Sequence, residues 1–191
     1  MHRWIAALLL AGAAAGVAAA QVPVARVTQD SRFEFSLRTR WGQVLSGRFA
    51  TGEGEVTDLG DGRRRVRLVL PTAGVEIVDH PRYTALTRGP RFFDAKRFPD
   101  VQFVSEPYTL ELLRTGGTLH GQLRMHGVQR REAFVLAPGQ CANPGRECDI
   151  VAEGVVLRDH YDLDGWRFAL RDEVRFSLRV RLHDAPGGAA P

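Results

Sequence analysis

Residues 91–105 read Arg91-Phe92-Phe93-Asp94-Ala95-Lys96-Arg97-Phe98-Pro99-Asp100-Val101-Gln102-Phe103-Val104-Ser105. This stretch holds four of the chain's ten phenylalanines. Pro99 biases Phe98 away from helix and has no N–H for a sheet ladder. The run after it, from Val101 to Ser105, has strand character. An aromatic plug at Phe92 and Phe93 that feeds a strand suits the end of a β-barrel or a β-sandwich.

Period-two alternation extends outward from this point. Val174, Phe176, Leu178, Val180 and Leu182 alternate with Arg175, Ser177, Arg179 and Arg181, giving one apolar face and one mostly cationic face. Phe33, Phe35 and Leu37 alternate with Arg32, Glu34, Ser36 and Arg38. Val66, Leu68 and Leu70 form a third apolar face, and Leu119, Leu123 and Met125 a fourth. Gly121 lies on that fourth face, where its lack of a side chain lets a bulky group come close. Asp61-Gly62, Gly116-Gly117, Pro138-Gly139, Asn143-Pro144-Gly145 and Asp164-Gly165 separate the runs as turn signals. Pro81 to Arg88 predicts a short helix with Pro81 in its first turn, and a helical turn is expected near Trp41 to Leu45. The residues thus predict an all-β fold of about eight antiparallel strands around a shared apolar interior, with one short helix. They do not separate a sandwich from a closed barrel.

The N-terminus has the form of an export signal. His2 and Arg3 precede an apolar, Ala-rich run from Ile5 to Val17, and Ala18-Ala19-Ala20 supplies a small-residue cleavage site before Gln21. A membrane anchor is the competing reading, but it needs about 20 apolar residues. The expected organisation is a signal peptide over 1–20, one domain over 21–183 and a disordered Gly/Ala/Pro tail over 184–191, with the mature protein in the periplasm.

The chain carries a formal charge of +4, and its basic residues are all arginine except Lys96. The arginines are spread over many strands and interleaved with acids, which argues against nucleic-acid binding. The charge is compatible with transient contact with an anionic membrane surface. Cys141 and Cys148 bracket a turn-rich segment and predict a disulfide in an oxidising compartment. The Cys-x-x-Cys redox spacing is absent, and so are the Gly-x-Ser-x-Gly elbow, the His-Glu-x-x-His helix and the phosphate-cradling Gly loop. The expectation is a protein that is not an enzyme and holds no metal or cofactor; a secreted hydrolase or metal enzyme is the least favoured reading.

These elements, in order, resemble the YceI-like family. Ser31-x-Phe33-x-Phe35 followed by Gly47-Arg48-Phe49 and Gly54 is similar to the family's first hairpin. Phe92-Phe93-Asp94, Phe98-Pro99 and Phe103-Val104-Ser105 match its central signature. Gly121 to Val128, ending His126-Gly127-Val128, resembles a later strand. Arg158-Asp159-His160-Tyr161-Asp162-Leu163 stands where the family has an Arg-x-Asp-Phe-Gly-Met-like turn, and Asp172-Glu173-Val174 opens the last strand. Three departures stand out: Thr39 where a His is frequent, His160-Tyr161-Asp162 in place of the Asp-Phe-Gly portion, and the Cys141–Cys148 insertion.

The resemblance implies an eight-stranded antiparallel lipocalin-like barrel in the periplasm. Its implied function is non-catalytic binding of a polyisoprenoid or isoprenoid quinone in the lumen, as carrier or buffer. The candidate lining residues are Phe33, Phe35, Phe49, Val66, Leu68, Phe103, Leu123, Met125, Phe176 and Leu178. Each has core filling as its alternative role. Trp41, His126 and Arg158 are candidates for the head-group end. For His126 the alternative is a turn-fixing hydrogen bond, and for Arg158 an ion pair with Asp159, Asp162 or Asp172. A self-filled barrel acting as a protein-interaction module is the alternative function. The oligomeric state stays open, with a homodimer as one outcome.

Overall fold

The computed structural model describes residues 23–186. Its strands are β1 (Pro23–Val27), β2 (Arg32–Thr39), β3 (Val44–Phe49), β4 (Glu53–Asp58), β5 (Arg63–Pro71), β6 (Val75–Ile77), β7 (Asp100–Ser105), β8 (Tyr108–Thr109), β9 (Gly117–Met125), β10 (Val128–Leu136), β11 (Ile150–Leu157), β12 (Leu170–Val180) and β13 (Leu182–Asp184). Two helices accompany them, α1 (Pro81–Arg88) and α2 (Leu110–Thr115). The strands form one sheet in the order β13-β1-β4-β5-β7-β9-β10-β11-β12-β2-β3-β6, with β8 on β5. Every pairing within it is antiparallel.

The all-β expectation holds, but the count of eight does not: thirteen strands are present among the described residues. The long alternating runs are broken where the sheet bends. Residues 28–31 separate β1 from β2, residues 50–52 separate β3 from β4, a 3₁₀ turn at Thr72–Gly74 separates β5 from β6, and Arg181 separates β12 from β13. Each break ends one hydrogen-bonded ladder and starts another without changing the chain's neighbours. β1 lies between β13 and β4, just as β2 lies between β12 and β3. Such interruptions let a sheet curl around its apolar face.

Helix α1 occupies the expected residues with Pro81 in its first turn. Helix α2 was not expected. Its six residues, Leu-Glu-Leu-Leu-Arg-Thr, are too few for a helical period to register, and Leu113 anchors it in the core. No helical turn forms near Trp41 to Leu45. Residues 40–42 make a tight hairpin turn, closed by the Gly42 N–H donating to the Thr39 carbonyl, and β3 begins at Val44. The expected tail begins too early: Asp184 pairs with Ala25, and the Ala185 N–H donates to the Val24 carbonyl with its side chain buried. The expected signal peptide and the end of the tail lie outside the described residues.

The core fills the concave face of the sheet. A row of aromatic rings crosses it from Phe92 to Phe93, Phe49, Phe35, Phe176, Phe134 and Phe103, with neighbouring centroids 5.1–6.4 Å apart. Glycines on adjacent strands seat these rings. A Cβ on Gly121 would stand 2.6 Å from both Phe103 Cε2 and the Val104 carbonyl oxygen, so the approach expected there is made by Phe103. Gly47 accommodates Phe35 in the same way.

Candidate functional site

Two apolar cavities open at opposite ends of this aromatic row. The first, of about 100 Å³, includes Val66, Leu68, Phe103, Leu123, Phe176 and Leu178 in its wall. Every residue lining it is apolar except for the hydroxyl of Tyr108. Burial raises the Tyr108 phenol to about 12. The second cavity, of about 280 Å³, lies beside α1 and is lined by Leu37, Leu45, Ile77, Phe92, Trp41, Trp166 and Phe168 among others. The two share no lining residue. Phe93, Phe49 and Phe35 stand between them.

Six of the ten expected lining residues therefore meet at the first cavity. Phe33, Phe35, Phe49 and Met125 are buried but line neither cavity. Leu70, Val101, Phe134 and Leu136 also line the first cavity and were missed. Phe134 and Leu136 share one face of the Val128–Leu136 run, so alternation there was a usable signal. Trp166 and Phe168 carried no such signal, because they lie in an irregular loop.

One end of the first cavity is built by α2 and by the loop that carries the Cys141–Cys148 disulfide. Leu113 of α2 lines the cavity, and Gly139 N–H donates to the Arg114 carbonyl. The disulfide loop presents Gly145 to Ile150 and Leu182, two further lining residues, and the Leu182 N–H donates to the Gly145 carbonyl at 2.7 Å. The insertion thus closes over the interior rather than hanging free.

Trp41, His126 and Arg158 do not form one cluster. Trp41 lines the second cavity, and the other two line neither. His126 sits in the β9–β10 turn with a left-handed backbone (φ 52°). Its Nδ1–H donates to the Tyr161 carbonyl at 3.1 Å, and its ring packs 4.4 Å from Phe98. This is the turn-fixing contact weighed above. Arg158 is 2% exposed and forms no ion pair among the described residues. Its Nη2 donates to the carbonyls of Leu163 and Gly165, each at 2.8 Å, and its guanidinium lies 5.2 Å from the centre of the Phe92 ring. Nε and Nη1 are buried without a partner. Burial lowers its pKa, with the Asp172 carboxylate opposing. The ion pair expected as its alternative role is replaced by backbone carbonyls and an aromatic face.

Tyr161 is fully buried, and its hydroxyl donates to Glu132 Oε1 at 2.8 Å. Burial raises its pKa, and the Glu132 carboxylate adds to the effect. Among the described residues, no three His, Cys, Asp or Glu side chains are grouped to hold a metal ion. No helix among them is long and apolar enough to cross a membrane.

A curled antiparallel sheet with an apolar interior is the architecture expected from the motifs, and a model of the YceI-like domain matches residues 25–182. The chain belongs to the YceI-like family. No curated protein matches it. Among solved structures, Burkholderia cenocepacia BcnA is 17% identical, with a TM-score of 0.66 over 82% of this chain and 99% of that one. A polyisoprenoid-binding domain from Saccharophagus degradans, implicated in plant cell wall breakdown, is 14% identical, with a TM-score of 0.64 over 86% of this chain and all of that one. The YceI protein of Campylobacter jejuni is 17% identical, with a TM-score of 0.55 over 73% and 84% of the two chains. At these identities the likeness is one of fold. It places the aromatic row and the cavities of this YceI-like chain inside a scaffold built several times from very different sequences.

Proposed function

We propose that this YceI-like protein binds a polyisoprenoid or isoprenoid quinone inside its curled sheet, without altering it, as a periplasmic carrier or buffer. The working domain begins at residue 21, released by cleavage after a signal peptide over 1–20, and extends through Ala185. The single observation that carries the reading is the apolar first cavity, which continues into the aromatic row. A prenyl tail has no polar atoms to satisfy, so such a wall suits it. The doubled pairings of β1 and β2 support treating the curl as a lipocalin-like barrel.

Volume sets a condition on this function. A cavity of roughly 150 Å³ holds one benzene, and the first cavity measures about 100 Å³. A tail of several isoprene units therefore has to displace the aromatic row and join the two cavities. Each CH₂ kept out of water contributes about 0.8 kcal/mol, but a bilayer offers the tail the same shelter. Transfer from membrane to protein is then near balance, which fits a carrier better than a tight sink. Trp41 meets the head group at the second cavity. Arg158, with two unpartnered nitrogens behind Phe92, is its hydrogen-bonding partner once that ring turns aside.

Organic extraction and native mass spectrometry of protein purified from its own host test this reading, followed by titration with a prenyl quinone. A co-purifying prenyl lipid and saturable binding are expected. Recovery of no lipid, together with no quinone binding, would overturn it. The small first cavity favours, as the second reading, a self-filled barrel that acts as a protein-interaction module in the periplasm, and the same result would promote it.

A further inference from the structure

The mouth of the second cavity is ringed by side chains that a water-facing surface has no reason to collect. Trp41 is 68% exposed, Phe168 74%, and Tyr83 and Leu86 each 45%. All four line that one cavity. They come from three separate segments: the β2–β3 turn, α1 and the loop before β12. Trp166 stacks against Phe168 with centroids 5.7 Å apart, and its backbone is held at φ 64°. That conformation is strained for a bulky residue and persists only where the surroundings impose it.

Exposed cations accompany each aromatic. Arg40 precedes Trp41, Arg82 precedes Tyr83, and Arg167 separates Trp166 from Phe168. None of the three forms an ion pair among the described residues. Arg40 Nε donates to the Arg167 carbonyl at 2.7 Å, which ties the first hairpin to the loop before β12. Within four residues of these aromatics the exposed acids are Asp79, Asp162 and Asp164 and the exposed arginines are Arg38, Arg40, Arg82, Arg167 and Arg171, so arginine predominates at the rim.

We infer that this rim is a docking surface for an anionic phospholipid bilayer. Trp and Tyr favour the headgroup level of a membrane, Phe and Leu the acyl boundary, and arginine the lipid phosphates. The purpose of docking rests on the lipid-binding reading above. A prenyl tail that crossed water would forfeit about 0.8 kcal/mol for every exposed CH₂. A cavity whose mouth is pressed into the bilayer takes the tail directly from the acyl region. Charge complementarity selects a membrane over an apolar protein partner: exposed arginines without an acidic partner among the described residues, set beside aromatics, suit a surface of phosphates.

The two tryptophans of the expected mature chain, Trp41 and Trp166, both line this cavity, so their fluorescence reports on the rim. The exported, leader-free protein is mixed with vesicles of phosphatidylglycerol and phosphatidylcholine, with and without brominated acyl chains. A blue shift, quenching by the brominated chains, and weaker binding to phosphatidylcholine alone are expected. The variant Arg82→Glu, altered at an exposed side chain that makes no ion pair or side-chain hydrogen bond among the described residues, should lose about tenfold or more in affinity for the anionic vesicles. It should keep the parent's prenyl-quinone titration in detergent. Phe168→Ser should weaken vesicle binding with either lipid. Unquenched fluorescence in the parent, or binding indifferent to lipid charge and to both variants, would overturn the docking surface. Vesicle docking without any quinone binding would retain the surface and remove the carrier.

Discussion

Phe49 is the ring on which the division of the interior depends. It is 4% exposed, with Phe35 at 5.7 Å on one side and Phe93 at 6.0 Å on the other, and it borders neither cavity. Truncation by Phe49→Ala empties its place. The neighbours cannot close in freely: Phe35 is seated on Gly47, and Phe93 is held by its N–H donating to the Thr87 carbonyl. A Phe→Ala change in such a setting costs about 3–5 kcal/mol. For a domain of this size that lowers Tm by roughly 6–20 °C. The same truncation joins the two cavities, so a prenyl ligand no longer has to displace a ring. The variant should be less stable than the parent when empty and more strongly stabilised by ligand. Ligand at a hundred times its Kd raises stability by about 2.7 kcal/mol, and tenfold tighter binding at the same concentration adds about 1.4 kcal/mol. Calorimetric melting with and without a prenyl quinone measures both terms. Phe49→Leu, close in volume, should cost less than about 1.5 kcal/mol and leave the ligand response unchanged. A Phe49→Ala protein that melts with the parent, or that gains less from ligand than the parent does, would refute the partition.

Replacing Cys141 and Cys148 together by Ser should cost about 2.5 kcal/mol from loop entropy, read as a lower urea midpoint; an unchanged midpoint would show that the loop is held by its hydrogen bonds to β13 alone. Tyr108 is raised from 10 to about 12 in the folded state, so the unfolded chain loses this proton first. Stability should then fall by about 2–3 kcal/mol as pH climbs from 10 to about 12. Tyr108→Phe should lessen the fall by that amount and leave the part due to Tyr161, whose pKa burial also raises, and identical slopes for the two proteins would contradict the assignment. Arg158→Lys keeps a charge but cannot present a planar fork to two carbonyls and a ring. It should cost about 1.5–3 kcal/mol in denaturant unfolding, and parent-like stability would show that the contacts to Leu163 and Gly165 are dispensable.

The strands were legible because one buried face imposes alternation on the residues themselves. Val174 to Leu182 could be read directly, and β12 and β13 lie there. The count was not legible. Alternation continues through bends such as Arg181 and residues 28–31, while the hydrogen-bond ladder does not, so the four breaks add four strands to the expected eight, and the two-residue β8 adds a fifth. Gly121 was legible as a place of close approach, but its visitor, Phe103, depends on register between β7 and β9. Arg158 could be singled out by its motif. Its engagement with the Leu163 and Gly165 carbonyls depends on a chain turn that no local pattern encodes.

Hydrophobic periodicity, turn residues, the cysteine pair and the ordered motifs determined by themselves an antiparallel β protein of the YceI-like family, because each of these signals lies within a few neighbouring residues. Only the tertiary structure decided that the interior is parted into two cavities by Phe93, Phe49 and Phe35, and that Trp41, Tyr83 and Phe168 meet at one mouth. Those facts depend on which strands the curl brings face to face, and side chains far apart in sequence become neighbours only once the whole sheet has bent around them.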